Sequence, residues 1–105
     1  MEYTDLSKSD LKDLDNSQRQ AVRKIIDKVS QNPLPKSEGG YGTALGNMHG
    51  KNLTGLCKIK LLKLGIRVVY KVIRTEKAMK ILVIAARADD EVYEIAAERK
   101  EKNGD

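Results

Sequence analysis

The sequence predicts an α+β fold: a small antiparallel or mixed sheet, an N-terminal helical hairpin packed on one face of it, and a C-terminal helix. Three observations predict it. Ala21, Val22, Ile25, Ile26 and Val29 recur at helical spacing. Residues 56–70 alternate apolar and cationic side chains about a short connection, as two paired strands do. Residues 79–86 are apolar on both faces apart from Lys80, and acidic residues then open a last helical stretch.

Each element has its own local reason. Glu2 to Ser7 reads as a short first strand, with Tyr3 its large β-former. Ser7 or Ser9 caps a first helix that carries Leu11 and Leu14. Asn16 or Ser17 caps the second helix, which ends at Asn32-Pro33 because proline disfavours helix in the residue before it. The two helices form a hairpin whose apolar stripe lies on the sheet.

Residues 33–54 contain Pro33, Pro35, Gly39, Gly40, Gly42, Gly46 and Gly50, and read as a long surface loop. The segment Gly46 to Asn52 (GNMHGKN) fails as a phosphate loop. It has one residue too few between its glycines, asparagine where serine or threonine would bind magnesium, and a strand behind it. His49 has no histidine, cysteine or carboxylate cluster at ligand spacing, so it reads as an exposed loop residue and not a metal ligand.

Alternation fixes the register of the central hairpin. Pairing Leu61 with Ile66 sets Ile59 opposite Val68 and Cys57 opposite Tyr70, which makes one apolar face. A slip of one residue would mix lysine with valine on both faces. The connection is then Leu62 to Gly65, and Gly65 can supply a positive φ. The same register sets Lys60 opposite Arg67 and Lys58 opposite Val69. Like charges placed directly across a ladder destabilise it. Such a pair either holds an anion or is a solvated basic face with counterions. Met79 to Ala86 follows as the most buried strand, then Arg87. Asp89 or Asp90 caps the last helix, on which Val92, Ile95 and Ala96 form the stripe and Tyr93 points elsewhere. Residues 100–105 read as a frayed tail.

A chain of 105 residues suits a single domain, 1–105, with one modest core. With no Trp and no Phe, that core rests on Leu, Ile and Val. Cys57 is the sole cysteine, so an internal disulfide and a cysteine-built metal site are excluded. The first 30 residues are too charged for a signal peptide or a membrane span, which points to the cytoplasm. The net charge of +5 is unevenly spread. Residues 1–50 carry seven basic and seven acidic side chains, residues 51–80 nine and one, and residues 81–105 four and seven. The positive potential belongs to the sheet region and suits a polyanion, nucleic acid first and an acidic protein second.

The sequence offers no Ser-His-Asp or Cys-His set and no carboxylate pair near the basic face. Its lysines, arginines and tyrosines suit one reaction, cleavage of an RNA backbone by its own 2′-hydroxyl. Arginine forks match phosphate oxygens and pre-place positive charge. A lysine crowded by other cations is pushed toward the neutral amine that serves as a base. A tyrosine can stack on a base or hydrogen-bond a phosphate.

The stretches Leu56 to Leu61 (LCKIKL), Gly65 to Tyr70 (GIRVVY), Ala86 to Tyr93 (ARADDEVY) and Ala97 to Arg99 (AER) closely resemble the RelE branch of the RelE/ParE toxin superfamily. The Asn32-Pro33 helix end and the Leu53 to Leu56 (LTGL) lead-in also match. The resemblance implies an mRNA interferase, the toxin of a type II toxin–antitoxin system, which enters the ribosomal A site and cuts mRNA without a metal or other cofactor. It places the catalytic set on Lys58, Lys60, Arg67, Arg87 and Tyr93. By analogy Lys60 is the base, Arg87 the leaving-group acid, Arg67 and Lys58 the charge stabilisers, and Tyr93 the residue that stacks on or orients the nucleotide. Lys51, Lys63, Lys71 and Arg74 are the expected contacts to RNA and the ribosome, with 16S rRNA near the A site. The expected partners are mRNA, the ribosome and a cognate antitoxin. Cys57 stands where the family usually has a larger residue, which bears on packing. Two alternatives stay open: a ParE-like toxin that inhibits DNA gyrase without cutting, and an RNA-binding domain that does not cleave. Lys58 and Lys60 as solvated lysines, and Arg67 paired with an acid near Asp89, are the corresponding structural readings.

Overall fold

The structure, a computed structural model, describes residues 2–48, 51–76 and 78–102, with the side chains of 47, 48, 51, 101 and 102 outside that description. In chain order the elements are β1 (Glu2–Tyr3), α1 (Asp5–Lys12), α2 (Asn16–Ser30), β2 (Thr43–Met48), β3 (Lys51–Leu61), β4 (Ile66–Ile73), β5 (Ala78–Ala85) and α3 (Asp89–Lys102). Among the described residues the strands form one five-stranded sheet in the order β1-β5-β4-β3-β2. β1 runs parallel to β5 and every other neighbouring pair is antiparallel. This is the α+β class with a mixed sheet that the sequence predicts.

The helices form where expected, but other residues cap them. Thr4, not Ser7 or Ser9, caps α1: its hydroxyl accepts from the Ser7 N–H at 3.2 Å and donates to the Ile81 carbonyl at 2.9 Å. Ser7 is buried inside the helix, its hydroxyl donating to the Thr4 carbonyl. The first strand is accordingly only Glu2–Tyr3. Asp15, not Asn16 or Ser17, caps α2 in a reciprocal box with Gln18, at 2.8 and 3.1 Å. Val22, Ile26 and Val29 are the buried stripe of α2, each contributing about 1.5–3 kcal/mol by leaving water. They pack with Leu11 against Cys57, Ile59, Ile66, Val68, Tyr70, Met79, Ile81 and Ile84 on one face of the sheet.

α3 covers part of the other face. Val92, Tyr93 and Ala96 pack there against Leu45, Leu53, Leu56, Val69, Leu82 and Val83. The β3–β4 register is the predicted one at all five predicted pairs, from Leu61↔Ile66 to Cys57↔Tyr70, and Gly65 has φ +66. β5 holds Ile81 and Ile84 on one face and Leu82 and Val83 on the other. The ladder to β4 slips between Val69 and Tyr70, which lets an uneven run of apolar residues fill both faces.

Residues 33–54 are not a loop throughout. They contain β2 and the start of β3, joined by an antiparallel ladder that slips between Ala44 and Gly46. Gly46 and Gly55 take φ values of +63 and +89, and the irregularity brings Leu45, Leu53 and Leu56 to the α3 side. α3 runs past residue 100 to Lys102, and the Lys100 ammonium donates to the Thr54 carbonyl at 2.9 Å. Residues 103–105 and His49 lie outside the described residues.

Candidate functional site

The start of α3 meets the ends of β3 and β4 on the sheet face that carries the cations. Alternation along β3 sends Cys57 and Ile59 into the helical-hairpin core and leaves Lys58 and Lys60 for the α3 side. Lys60 stands directly across the ladder from Arg67. Asp89, the first residue of α3, bridges them. Its Oδ2 accepts from Lys60 Nζ at 3.0 Å, and its Oδ1 accepts from Arg67 Nε. The hydrogen bond from Lys60, joined by that from Arg67, holds the Asp89 carboxyl below its ordinary range, outweighing the effect of partial burial.

Arg67 has further anchors. Its Nη1 donates to the Arg87 carbonyl at 2.5 Å and to the Gly65 carbonyl at 3.3 Å. The guanidinium therefore ties the hairpin turn to the β5–α3 connection. A recess of about 50 Å³ lies beside it, lined by Lys60, Leu61, Leu62, Gly65, Ile66 and Arg67. Arg87 is exposed, at 60% of its side chain, and its Nη1 lies 3.4 Å from Glu91 Oε2 one helical turn away. Arg87 also borders a larger cleft of about 330 Å³ between α1, β5 and α3, which Asp10, Asp13 and Arg99 line as well. A third cleft, about 450 Å³, lies on the α1–α2 surface among Tyr3, Lys8, Leu11, Lys12, Arg19 and Arg23, away from this cluster.

Two expectations change. Tyr93 does not point away from the core: it is 1% exposed and packs with Val92 and Ala96. A ring buried that far has no face open to a nucleobase. Its hydroxyl instead accepts from Lys58 Nζ at 2.8 Å. Asp89 does not cap α3. The Val92 N–H bonds to the Ala88 carbonyl, so the helix begins at Asp89 itself and the carboxylate is available to the cations.

The peripheral cations are dispersed. Lys63 is exposed at the hairpin turn. Lys71 lies further along β4, opposite Leu56. Arg74 is engaged with Glu38 at 2.5 and 2.8 Å, beyond the end of β4 that lies away from Arg67. The side chain of Lys51 lies outside the description. Among the described residues no group of histidine, cysteine and carboxylate side chains is placed to hold a metal ion, and no helix is long and apolar enough to cross a membrane.

No family model matches the sequence, and no curated protein matches it by sequence. Solved structures do match. The isolated E. coli RelE toxin superposes with a TM-score of 0.66 at 22% identity, over 94% of this chain and 95% of that one. A mutant E. coli RelE in complex with an antitoxin RelBc peptide superposes with a TM-score of 0.65 at 22% identity, over 90% of both chains. The likeness spans almost the whole chain, hairpin, sheet and terminal helix together, and the protein therefore has the RelE-like toxin fold.

Proposed function

We propose that the protein is the toxin of a type II toxin–antitoxin system and acts as a ribosome-dependent endoribonuclease. One observation carries this reading: Lys60 and Arg67, from opposing strands, converge on the two oxygens of a single anion. Two cations on two oxygens is an arrangement that suits the binding of a phosphodiester.

In the reaction the RNA supplies its 2′-hydroxyl as nucleophile. Lys60, having released its own proton to water, takes that proton as the neutral amine while the oxygen attacks phosphorus. Arg67 and Lys58 stabilise the charge that gathers on the phosphoryl oxygens. Arg87 donates a proton to the departing 5′-oxygen, leaving a 2′,3′-cyclic phosphate and a 5′-hydroxyl. Tyr93 acts through Lys58, whose ammonium it holds, and not by stacking. Arg87 must turn from Glu91 toward the scissile bond, a movement its exposed side chain permits. Each positioned proton transfer is worth roughly 10²–10⁴-fold. The ribosome presents mRNA in the A site, which makes the cytoplasm the place of action. Lys51, Lys63 and Lys71 are contacts to rRNA or mRNA phosphates in this reading, and Arg74 joins them by releasing Glu38. The partner that neutralises the toxin is an antitoxin, a reading supported by the E. coli RelE mutant in complex with an antitoxin RelBc peptide.

The test uses purified protein. Programmed ribosomes with an mRNA codon in the A site, and separately DNA gyrase with relaxed plasmid, are incubated with it. Ribosome-dependent mRNA cuts with gyrase unaffected support the proposal. Blocked supercoiling with intact mRNA supports a ParE-like toxin instead, and RNA binding with neither effect a non-cleaving domain.

A further inference from the structure

Lys60 and Arg67 repel each other across the ladder, and the Asp89 carboxylate offsets that repulsion by giving one oxygen to each. A phosphate would use the same two donors. Carboxylate and phosphate therefore compete for one position. Asp89 is suited to yield it: 35% of its side chain is exposed, on the first turn of α3. Arg67 stays in place when the carboxylate leaves, because the Arg87 and Gly65 carbonyls still hold its Nη1.

We propose that Asp89 is a displaceable internal anion, which keeps Lys60 and Arg67 gathered in the free protein, surrenders them to an RNA phosphate, and so sets the affinity for RNA. The inference rests on the RNA-cleaving reading for the identity of the ligand. Asp89 takes no part in bond making or breaking. It is a positioning residue that also competes.

The experiment measures binding of a 2′-O-methylated trinucleotide, which lacks the nucleophile for its own cleavage, to the full chain and to its Asp89→Asn and Glu94→Gln variants. Glu94→Gln makes the same change of net charge at an exposed position further along α3. Asp89→Asn is expected to bind roughly 3- to 30-fold tighter than the parent, the range that two partly exposed ion pairs withhold, and Glu94→Gln to change affinity far less. The Arg67 Nε–H resonance of the parent is expected to move as the trinucleotide saturates. Equal or weaker binding by a folded Asp89→Asn, or equal gains by both variants, overturns the inference. Should Asp89→Asn fail to fold, the parent decides: an Arg67 Nε–H signal unmoved at saturation overturns it too. Cleavage on programmed ribosomes is scored separately. Tighter binding by Asp89→Asn in a protein that never cuts leaves Asp89's role standing and removes the catalytic reading. A cutting protein indifferent to Asp89 does the reverse.

Discussion

Lys58 donates to the hydroxyl of Tyr93 at 2.8 Å, and the ring that bears this hydroxyl is buried between α3 and the sheet. One residue thus has two separable parts. The ring belongs to the core and the oxygen belongs to Lys58. Tyr93→Phe keeps the ring and is expected to leave the melting temperature nearly unchanged while lowering cleavage. Tyr93→Ala empties a core position and is expected to lose about 3–5 kcal/mol of stability. Melting and cleavage measured together separate the two effects. A Phe variant as unstable as the Ala variant contradicts this division.

The Asp89 carboxyl is held below its usual range by its hydrogen bonds from Lys60 and Arg67. A carboxyl depressed in the folded state stabilises the fold fully above its unfolded pKa, about 4 for aspartate, and ceases to do so as pH falls through the folded value. Asp89→Asn removes that stabilisation. Its melting temperature is expected to lie modestly below the parent's at neutral pH, since each partly exposed pair contributes about 1 kcal/mol or less. The gap is expected to close below about pH 4. Paired thermal melts across that range check it, and a gap that persists unchanged into strong acid contradicts it.

Asp10 of α1 and Arg99 of α3 meet at the open side of β5, Nη1 to Oδ2 at 2.6 Å, with side chains 18% and 16% exposed. Arg99 also donates to the Leu82 carbonyl at 2.7 Å, and Asp10 accepts from the Ile84 N–H at 3.0 Å. The pair pins two helices to one strand. Arg99→Ala strands a mostly buried carboxylate and is expected to lose about 3 kcal/mol. Adding Asp10→Ala should lose less than the sum of the two single changes, as denaturant titrations of all three variants would reveal.

Gly42 is small because Tyr70 is near. A Cβ there would lie 2.0 Å from the Tyr70 hydroxyl oxygen, which donates to the Pro33 carbonyl at 2.7 Å from a fully buried side chain. Gly42→Ala is expected to destabilise the protein by about 1–3 kcal/mol through overpacking. In a Tyr70→Phe background the same change should be milder, because the clashing oxygen is gone. Chemical denaturation of the four proteins tests this, and an equal loss in both backgrounds would point to another cause.

The central hairpin was legible because Cys57 and Ile59 alternate with Lys58 and Lys60, and only one register keeps them on opposite faces. β2 was not legible. Thr43–Met48 lacks clean alternation and is broken by Gly46 at a positive φ, so its place comes from pairing with β3. The α2 cap lies ahead of Asn16 and Ser17 because Asp15 closes a reciprocal box with Gln18, three residues on. At the site, sequence supplied the cations and offered an acid near Asp89 as a partner for Arg67, but not one carboxylate shared by Arg67 and Lys60. Its bridge depends on where α3 lands over β3 and β4, a tertiary fact. Tyr93 shows the same limit, since α3 buries adjacent residues 92 and 93 and no single stripe foretells it.

The most direct measurement maps the 5′ ends of cellular mRNA after brief expression of the parent, Lys60→Ala and Arg87→Ala, with folding of each verified by its melt. The parent is expected to arrest growth and leave new 5′ ends inside translated codons, between the second and third positions. Each variant is expected to cut on the order of 10²–10³-fold less while remaining folded. Growth arrest with intact mRNA, or variants that cut at the parent rate, would contradict a catalytic role for Lys60 and Arg87.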